Sequence, residues 1–132
     1  MRRGLRALLV SMVGIAALLA LASPAAAMLP NFYAHLDLAN GGHTVVAGGP
    51  CHWQAGDAWA EIKDVTITQG SITGTSSGAT TVRKGQDAAW WLDATSAGQF
   101  TPGPAEAYAL AVVHRTDGTT YQYPWEDHVQ LT

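Results

Sequence analysis

Hydrophobic and polar residues alternate along most of the chain beyond residue 30, with the period of two that is typical of β-strands. The clearest example is Ala105 to Val113, where Ala and Val occupy one face and Glu, Tyr, Leu and Val the other. Ala, Glu and Leu are also good helix formers, which leaves helix as the alternative. The Pro102-Gly103-Pro104 turn before this segment and Asp117-Gly118 after it favour a strand entering a hairpin. Similar patterns predict strands at residues 32–38, 43–47, 57–69, 71–74, 80–83, 88–95, 119–123 and 126–131.

Local departures from the alternation predict finer features. The face occupied by apolar residues slips at Lys63-Asp64, which indicates a β-bulge or bend. Segments 71–74 and 80–83 are short and polar, so we expect edge strands there. Pro124 interrupts the final segment and confines it to an edge or a bulge. In segment 88–95, Trp90 is placed inward and Trp91 outward, because the opposite arrangement would bury Asp93.

Turn signals rich in Gly, Pro and Asn recur every 8–12 residues or so. Seven to nine short strands in about 100 residues match an immunoglobulin-like antiparallel β-sandwich. We therefore predict an all-β fold and a single domain spanning residues 28–132.

Residues 1–27 have the layout of a secretory signal peptide. Arg2, Arg3 and Arg6 precede a 15-residue apolar run and an Ala-x-Ala cleavage signal. That run is shorter than the roughly 20 residues of a membrane-spanning helix, so we expect a secreted, extracellular chain with no membrane span after cleavage. Cleavage would change the net charge from −3 to −6, which argues against nucleic acid or an anionic membrane as partner.

The motifs of residues 50–131 resemble those of small secreted actinobacterial proteins with an immunoglobulin-like β-sandwich. The similar motifs are Cys51-His52-Trp53, Val65-Thr66-Ile67-Thr68-Gln69-Gly70, Lys84-Gly85, Trp90-Trp91-Leu92 and Phe100-Thr101-Pro102-Gly103-Pro104-Ala105. The resemblance implies the fold and an extracellular location, but no catalytic residues. Members of the group tend to carry a second Cys near residues 80–84, where this chain has Val82 and Arg83.

Cys51 is the sole cysteine, so it is either a buried, inert thiol or pairs with another molecule. The chain is accordingly expected to be a monomer or a dimer linked through Cys51. Cys51 and His52 are sequence neighbours that point to opposite faces of a strand, so they form no catalytic dyad. The five histidines show no metal-ligand spacing. We predict no catalytic residues, no metal site and no cofactor.

The tryptophans are the candidate ligand-binding residues. The alternation exposes Trp91 and Trp59, and Trp53 and Trp125 lie near predicted strand ends or loops. Exposed Trp indicates recognition of a sugar, a peptide or a protein; the alternative is that these rings pack into the core or under a covering segment. In an immunoglobulin topology, Trp59 and Trp91 would lie in different sheets and form no common platform.

The sequence thus predicts a secreted, non-enzymatic binding or structural module. Its expected partner is an extracellular protein or a glycan of the cell envelope. The alternative is a carbohydrate-binding module that uses Trp91, Trp53 or Trp125. Coplanar exposed rings would favour that alternative, and rings packed under a loop would exclude it.

Overall fold

A computed structural model describes residues 30–132, and this part of the chain is all-β, as predicted. The predicted signal peptide and residues 28 and 29 lie outside the described residues. Short turns connect eight strands: β1 His35–Ala39, β2 Thr44–Pro50, β3 Asp57–Gln69, β4 Ile72–Ser76, β5 Ala79–Arg83, β6 Ala89–Thr95, β7 Gly103–Arg115 and β8 Thr120–Leu131. A single 3₁₀ turn, Asn40–Gly42, joins β1 to β2. The alanine-rich segment is the strand β7, not a helix.

Seven of the strands close into a barrel-like sheet in the order β4-β6-β2-β1-β8-β7-β3, with β3 pairing back to β4. The first and last strands pair in parallel, and the other pairings are antiparallel. β5 continues the line of β4 along the first half of β3. The barrel has two sides: β2 and β6 lie on one, and β3, β5, β7 and β8 lie on the other.

The edges of the sheet differ in part from the predicted ones. β5 is an edge strand, but β4 is not, because it pairs with β3 on one side and with β6 on the other. Closure of the ring satisfies backbone groups that a polar, short strand would otherwise expose. The two predicted segments on either side of Pro124 form one strand, β8. Pro124 faces Leu110 of β7, and β8 pairs with β1 only near Leu131, so the proline lies where β8 has one neighbour.

The predicted slip in β3 is a real irregularity. The register between β3 and β7 shifts between Lys63 and Thr66, and Asp64 has a φ of 56°. The backbone N–H of Val65 donates to the hydroxyl of Ser76 at 3.0 Å, which satisfies a donor in the interrupted ladder. The bulge returns Val65 and Ile67 to the interior after Ala60 and Ile62.

The core is filled by pairing small residues of β7 with large residues of its neighbours. Ala109 lies opposite Trp125, and Ala111 lies opposite Tyr123 on β8. Trp125 also contacts Phe32 and Trp90, with ring centroids 5.4 and 5.9 Å apart. The inward alanines therefore leave room for a cluster of aromatic rings, which supplies much of the buried apolar area.

Candidate binding surface

Trp91 lies on the outer face of β6 and is the most exposed aromatic ring among the large hydrophobic residues of the described chain. It is 54% exposed, whereas its neighbour Trp90 is 1% exposed. Alternation along β6 produces this difference, because successive side chains of a strand point to opposite faces. The predicted orientation of both rings is thus confirmed.

Gly48 of β2 supports the Trp91 indole from below. The two residues are register partners across the β2–β6 ladder. A Cβ at position 48 would lie 2.4 Å from a carbon of the Trp91 six-membered ring, far inside van der Waals contact. The indole therefore rests against the backbone of β2, a close approach that the absence of a side chain permits.

Tyr33 completes the surface beside Trp91. The backbone N–H of Tyr33 donates to the carbonyl of Gly48 at 2.9 Å, which fixes the segment before β1 alongside β2. The Tyr33 and Trp91 ring centroids are 5.5 Å apart, with their planes inclined at 36°. Tyr33 is 37% exposed. We call these two rings the aromatic platform; in residues 30–132 they are the exposed large hydrophobic side chains.

Carboxylates flank the platform on the same face. Asp93 follows Trp91 by two residues on β6, and Asp37 lies on β1; both are register partners of Val46 in β2. Asp37 accepts a hydrogen bond from the Thr132 hydroxyl at 2.8 Å, while Asp93 is exposed. The surface therefore combines flat apolar area with acidic hydrogen-bond acceptors, which can bind a sugar ring or a basic side chain.

Trp59 faces outward as predicted, but other side chains cover its ring. Its indole stacks on the His114 imidazole with centroids 3.7 Å apart and planes 3° apart. The Arg83 guanidinium lies 5.8 Å from the indole centroid, on the β5 side. Trp59 and Trp91 lie on opposite sides of the barrel and form no common platform.

Trp125 departs from its predicted place near a strand end. It lies within β8, is 7% exposed, and belongs to the aromatic core. Its placement follows from the continuity of β8 through Pro124, which keeps the alternation of faces in register with Tyr123. Trp53 is partly buried and packs against the core. Of the four candidate rings, Trp91 is the one that offers an open surface.

Cys51 is partly buried at the edge of the core. Burial, with a smaller contribution from the Asp87 carboxylate, raises the pKa of its thiol to about 11. Because the thiolate is the nucleophilic form, this thiol reacts slowly near neutral pH. The Cys51-linked dimer stays a prediction.

A buried ion pair that the sequence analysis did not identify closes one end of the barrel. Asp57 is 2% exposed and binds the Arg115 guanidinium at 2.9 Å. It also accepts hydrogen bonds from the Gln54 backbone N–H at 2.9 Å and from the Tyr121 hydroxyl at 3.2 Å. The residues come from three separate parts of the chain, so spacing along the sequence carries no signal for this cluster.

A shallow groove of about 320 Å³ lies between β3, β7, β8 and the start of β1. It is lined in part by Gln69, Glu106 and His128, and His128 Nδ1 lies 2.7 Å from Glu106 Oε2. Both of these side chains are largely exposed, and neither ring of the platform lines the groove. The groove is an open surface feature with no buried polar group directed into it.

In residues 30–132, metal-ligand clusters and membrane-spanning helices are absent. No three His, Cys, Asp or Glu side chains of this part of the chain are grouped to hold a metal ion. Within the same residues, no helix has the length and hydropathy to cross a bilayer.

Comparisons with known proteins give little beyond this geometry. No protein-family model matches the chain, and no curated protein matches it either. Among solved structures, murine CRIg is similar over 77% of this chain and 93% of the CRIg chain, at 9% sequence identity and a TM-score of 0.40. A likeness at that level implies nothing about what this chain binds.

Proposed function

We propose that this chain is a secreted, non-enzymatic binding module and that the aromatic platform is its ligand-binding surface. The observation that carries the proposal is the state of Trp91, which is more than half exposed and yet held in place by Gly48 and Tyr33. Large apolar rings at a surface mark sites of recognition. A ring that is already fixed loses little conformational freedom when a ligand covers it.

The ligand that fits best is a glycan of the cell envelope. The open face of an indole can pack against the apolar C–H face of a sugar ring, and the Asp93 carboxylate beside it can accept hydrogen bonds from sugar hydroxyls. Because the Tyr33 and Trp91 planes are inclined at 36°, the flat area is one ring wide. This geometry suits a single glycan chain better than a flat, ordered polysaccharide surface.

An extracellular protein is the second candidate ligand. Tyr and Trp are enriched at protein interfaces. The acidic flank formed by Asp93 and Asp37 favours a partner that presents a basic side chain next to an apolar contact.

The strand order supports an immunoglobulin-like sandwich as the architecture of the module. The neighbours β1-β2-β6 and β8-β7-β3 correspond to the A-B-E and G-F-C orders of that fold. The usual core marker of antibody domains, a disulfide packed on an inward Trp of the third strand, has no counterpart here, since Trp59 of β3 points outward. Secretion is supported by the signal-peptide pattern of residues 1–27.

The binding proposal is tested by titrating the purified protein with short oligosaccharides, namely peptidoglycan fragments, β-glucan and mannan oligomers. Trp91→Ala should weaken the binding of the recognised oligosaccharide about tenfold or more. Trp59→Ala removes an indole from the opposite side of the barrel and should leave that affinity unchanged. Equal loss in both variants, or no oligosaccharide binding by the parent, would refute the glycan assignment.

The secretion proposal has its own test. The full chain is expressed in a secretion-competent bacterium, and the intact mass of the product in the medium is measured. We expect a chain that begins at Met28. A product retained in the cells with residues 1–27 still attached would contradict secretion.

A further inference from the structure

The outer face of β7 carries a row of apolar side chains that does not belong to the core. Tyr108, Leu110 and Val112 alternate with the inward alanines, and Trp59 of β3 adjoins the end of the row. All four are partly buried by their neighbours, and none is among the partly buried residues that pack against the core. We call these four residues the outer stripe. It lies on the side of the barrel opposite the aromatic platform.

Two opposite charges lie beside the centre of the outer stripe. Glu61 is the register partner of Val112, and Lys63 is the register partner of Leu110. Both side chains are partly buried, and neither forms an ion pair within residues 30–132. An opposite charge brought into contact with a partly buried charged side chain stabilises it. The arrangement therefore offers one positive and one negative charge for which a partner can compensate.

A second copy of the chain fits this face. Glu61 and Val112 form one row across the strands, and Lys63 and Leu110 form the next. A two-fold axis can lie in the plane of the face, perpendicular to the strands and midway between these two rows. It places β7 of the second copy over β7 of the first, running in the opposite direction. Leu110 then meets Val112 of the second copy, and Glu61 meets Lys63 of the second copy. Both contacts occur twice, as an isologous interface requires.

The flanking strands accept the same symmetry without a like-charge contact. On β5, Ala79 and Thr81 occupy the two central rows, so Ala79 of one copy meets Thr81 of the other. On β8, Pro124 and Gln122 occupy those rows. Like charges facing each other would cost energy, and the four-strand face places none at its centre.

The face is large enough for a stable dimer. β3, β7 and β8 run along its whole length, with β7 and β8 paired from Gly103 to His114, and β5 adds a fourth strand over five residues. With strands ~4.8 Å apart and a rise of ~3.4 Å per residue, the face covers about 650 Å². That is close to the roughly 800 Å² that each partner buries in a standard interface.

We propose that two copies of this chain form a non-covalent dimer through the outer stripe, with reciprocal Glu61–Lys63 ion pairs across the two-fold axis. The two aromatic platforms then face away from each other on the outer sides of the dimer. If the platform binds as proposed above, the dimer is bivalent and can link two ligands, whereas the dimer itself does not depend on that binding.

Sedimentation equilibrium over a range of protein concentrations tests the dimer, in a Cys51→Ser background that excludes a disulfide link. The single charge reversals Glu61→Lys and Lys63→Glu each place like charges across the axis and should raise the dimer dissociation constant about tenfold or more. The double variant restores opposite charges and should return the constant to within about threefold of the parent. Asp93→Lys reverses a carboxylate on the platform side and should leave the dimer dissociation constant unchanged.

Thermal unfolding of each variant establishes that it is folded, and Leu110→Ser provides a second disruption of the face that does not depend on charge. A monomeric parent at all concentrations would overturn the proposal. So would a dimer that tolerates both single reversals, or one that the double variant fails to restore. A dimer disrupted by Asp93→Lys would place the interface at the platform and would overturn it too.

Discussion

The indole of Trp91 occupies the space that a side chain at position 48 would need. Gly48 and Trp91 are partners across the β2–β6 ladder, and a Cβ on Gly48 would also lie 2.6 Å from the Trp90 carbonyl oxygen. The glycine thus permits both the close pairing of the strands and the position of the exposed ring. The exposed Trp91 ring is supported by backbone, which, unlike a side chain, does not change rotamer.

The first prediction concerns this support. Gly48→Ala should displace the Trp91 ring and weaken ligand binding, and the added methyl group should cost about 1–3 kcal/mol of stability. Val46→Ala, on the same strand and face, introduces no clash and serves as the control. Urea denaturation and oligosaccharide titration of the two variants measure both effects. Unchanged binding in Gly48→Ala would mean that the ring does not need this support.

The second prediction separates the buried rings from the exposed one. Trp125→Ala should destabilise the protein by about 3–5 kcal/mol, because it removes a ring from the aromatic core. Trp91→Ala should cost less than about 1 kcal/mol, because much of that ring already contacts water. Urea denaturation of both variants is the measurement. Similar losses would show that the two rings do not differ in burial.

The third prediction concerns the buried carboxylate. Asp57→Ala should destabilise the fold by about 3 kcal/mol, because Arg115, the Tyr121 hydroxyl and the Gln54 backbone N–H lose their shared acceptor. Asp93→Ala removes an exposed carboxylate and should change stability by less than about 0.5 kcal/mol. Chemical denaturation at neutral pH compares them. Equal stability of the two variants would show that the Asp57–Arg115 ion pair does not stabilise the fold.

The fourth prediction is a loss of stability in alkali. Burial, and then the nearby Asp57 carboxylate, raise the pKa of Tyr121 from 10.0 to about 12, and burial raises the pKa of Cys51 from 9.0 to about 11. The folded chain therefore holds these protons to higher pH than the unfolded chain does. Their contribution is complete below about pH 9 and is lost as the pH rises toward about 12.

Urea midpoints measured from about pH 8 to about pH 11.5 test this sign. Tyr121→Phe combined with Cys51→Ser should flatten part of the decline. Burial also raises the pKa values of Tyr108 and Tyr123, so some decline should remain. A parent protein whose stability stays constant across this range would contradict the assignment.

The strands themselves could be predicted from the sequence because alternation is a local signal. β3 occupies the predicted residues 57–69, its irregularity lies at Lys63-Asp64, and the orientations of Trp90 and Trp91 follow from the cost of burying Asp93. Each of these inferences uses residues within one strand. The choice of strand over helix for β7 likewise followed from its flanking turns.

Features that depend on pairing between distant segments were not predictable in this way. Closure through β4 and β6 makes β4 an internal strand, although its polar sequence resembles an edge. Trp125 lies in the core because β8 continues through Pro124 and faces the small Ala109. Tyr33, the second ring of the platform, gave no sequence signal, because its position depends on the segment before β1 pairing with Gly48.

Ligand binding at Trp91 is tested most directly by the response of the indole N–H signals in a ¹H–¹⁵N NMR spectrum of the purified protein. Each of the five tryptophans contributes one indole N–H signal, and Trp91→Phe assigns the one of interest. Peptidoglycan fragments, β-glucan and mannan oligomers are added in turn. We expect the recognised oligosaccharide to shift the Trp91 signal and to leave those of Trp59, Trp90 and Trp125 in place. A response at Trp59 with none at Trp91, or no response at Trp91 to any of the oligosaccharides, would contradict this expectation.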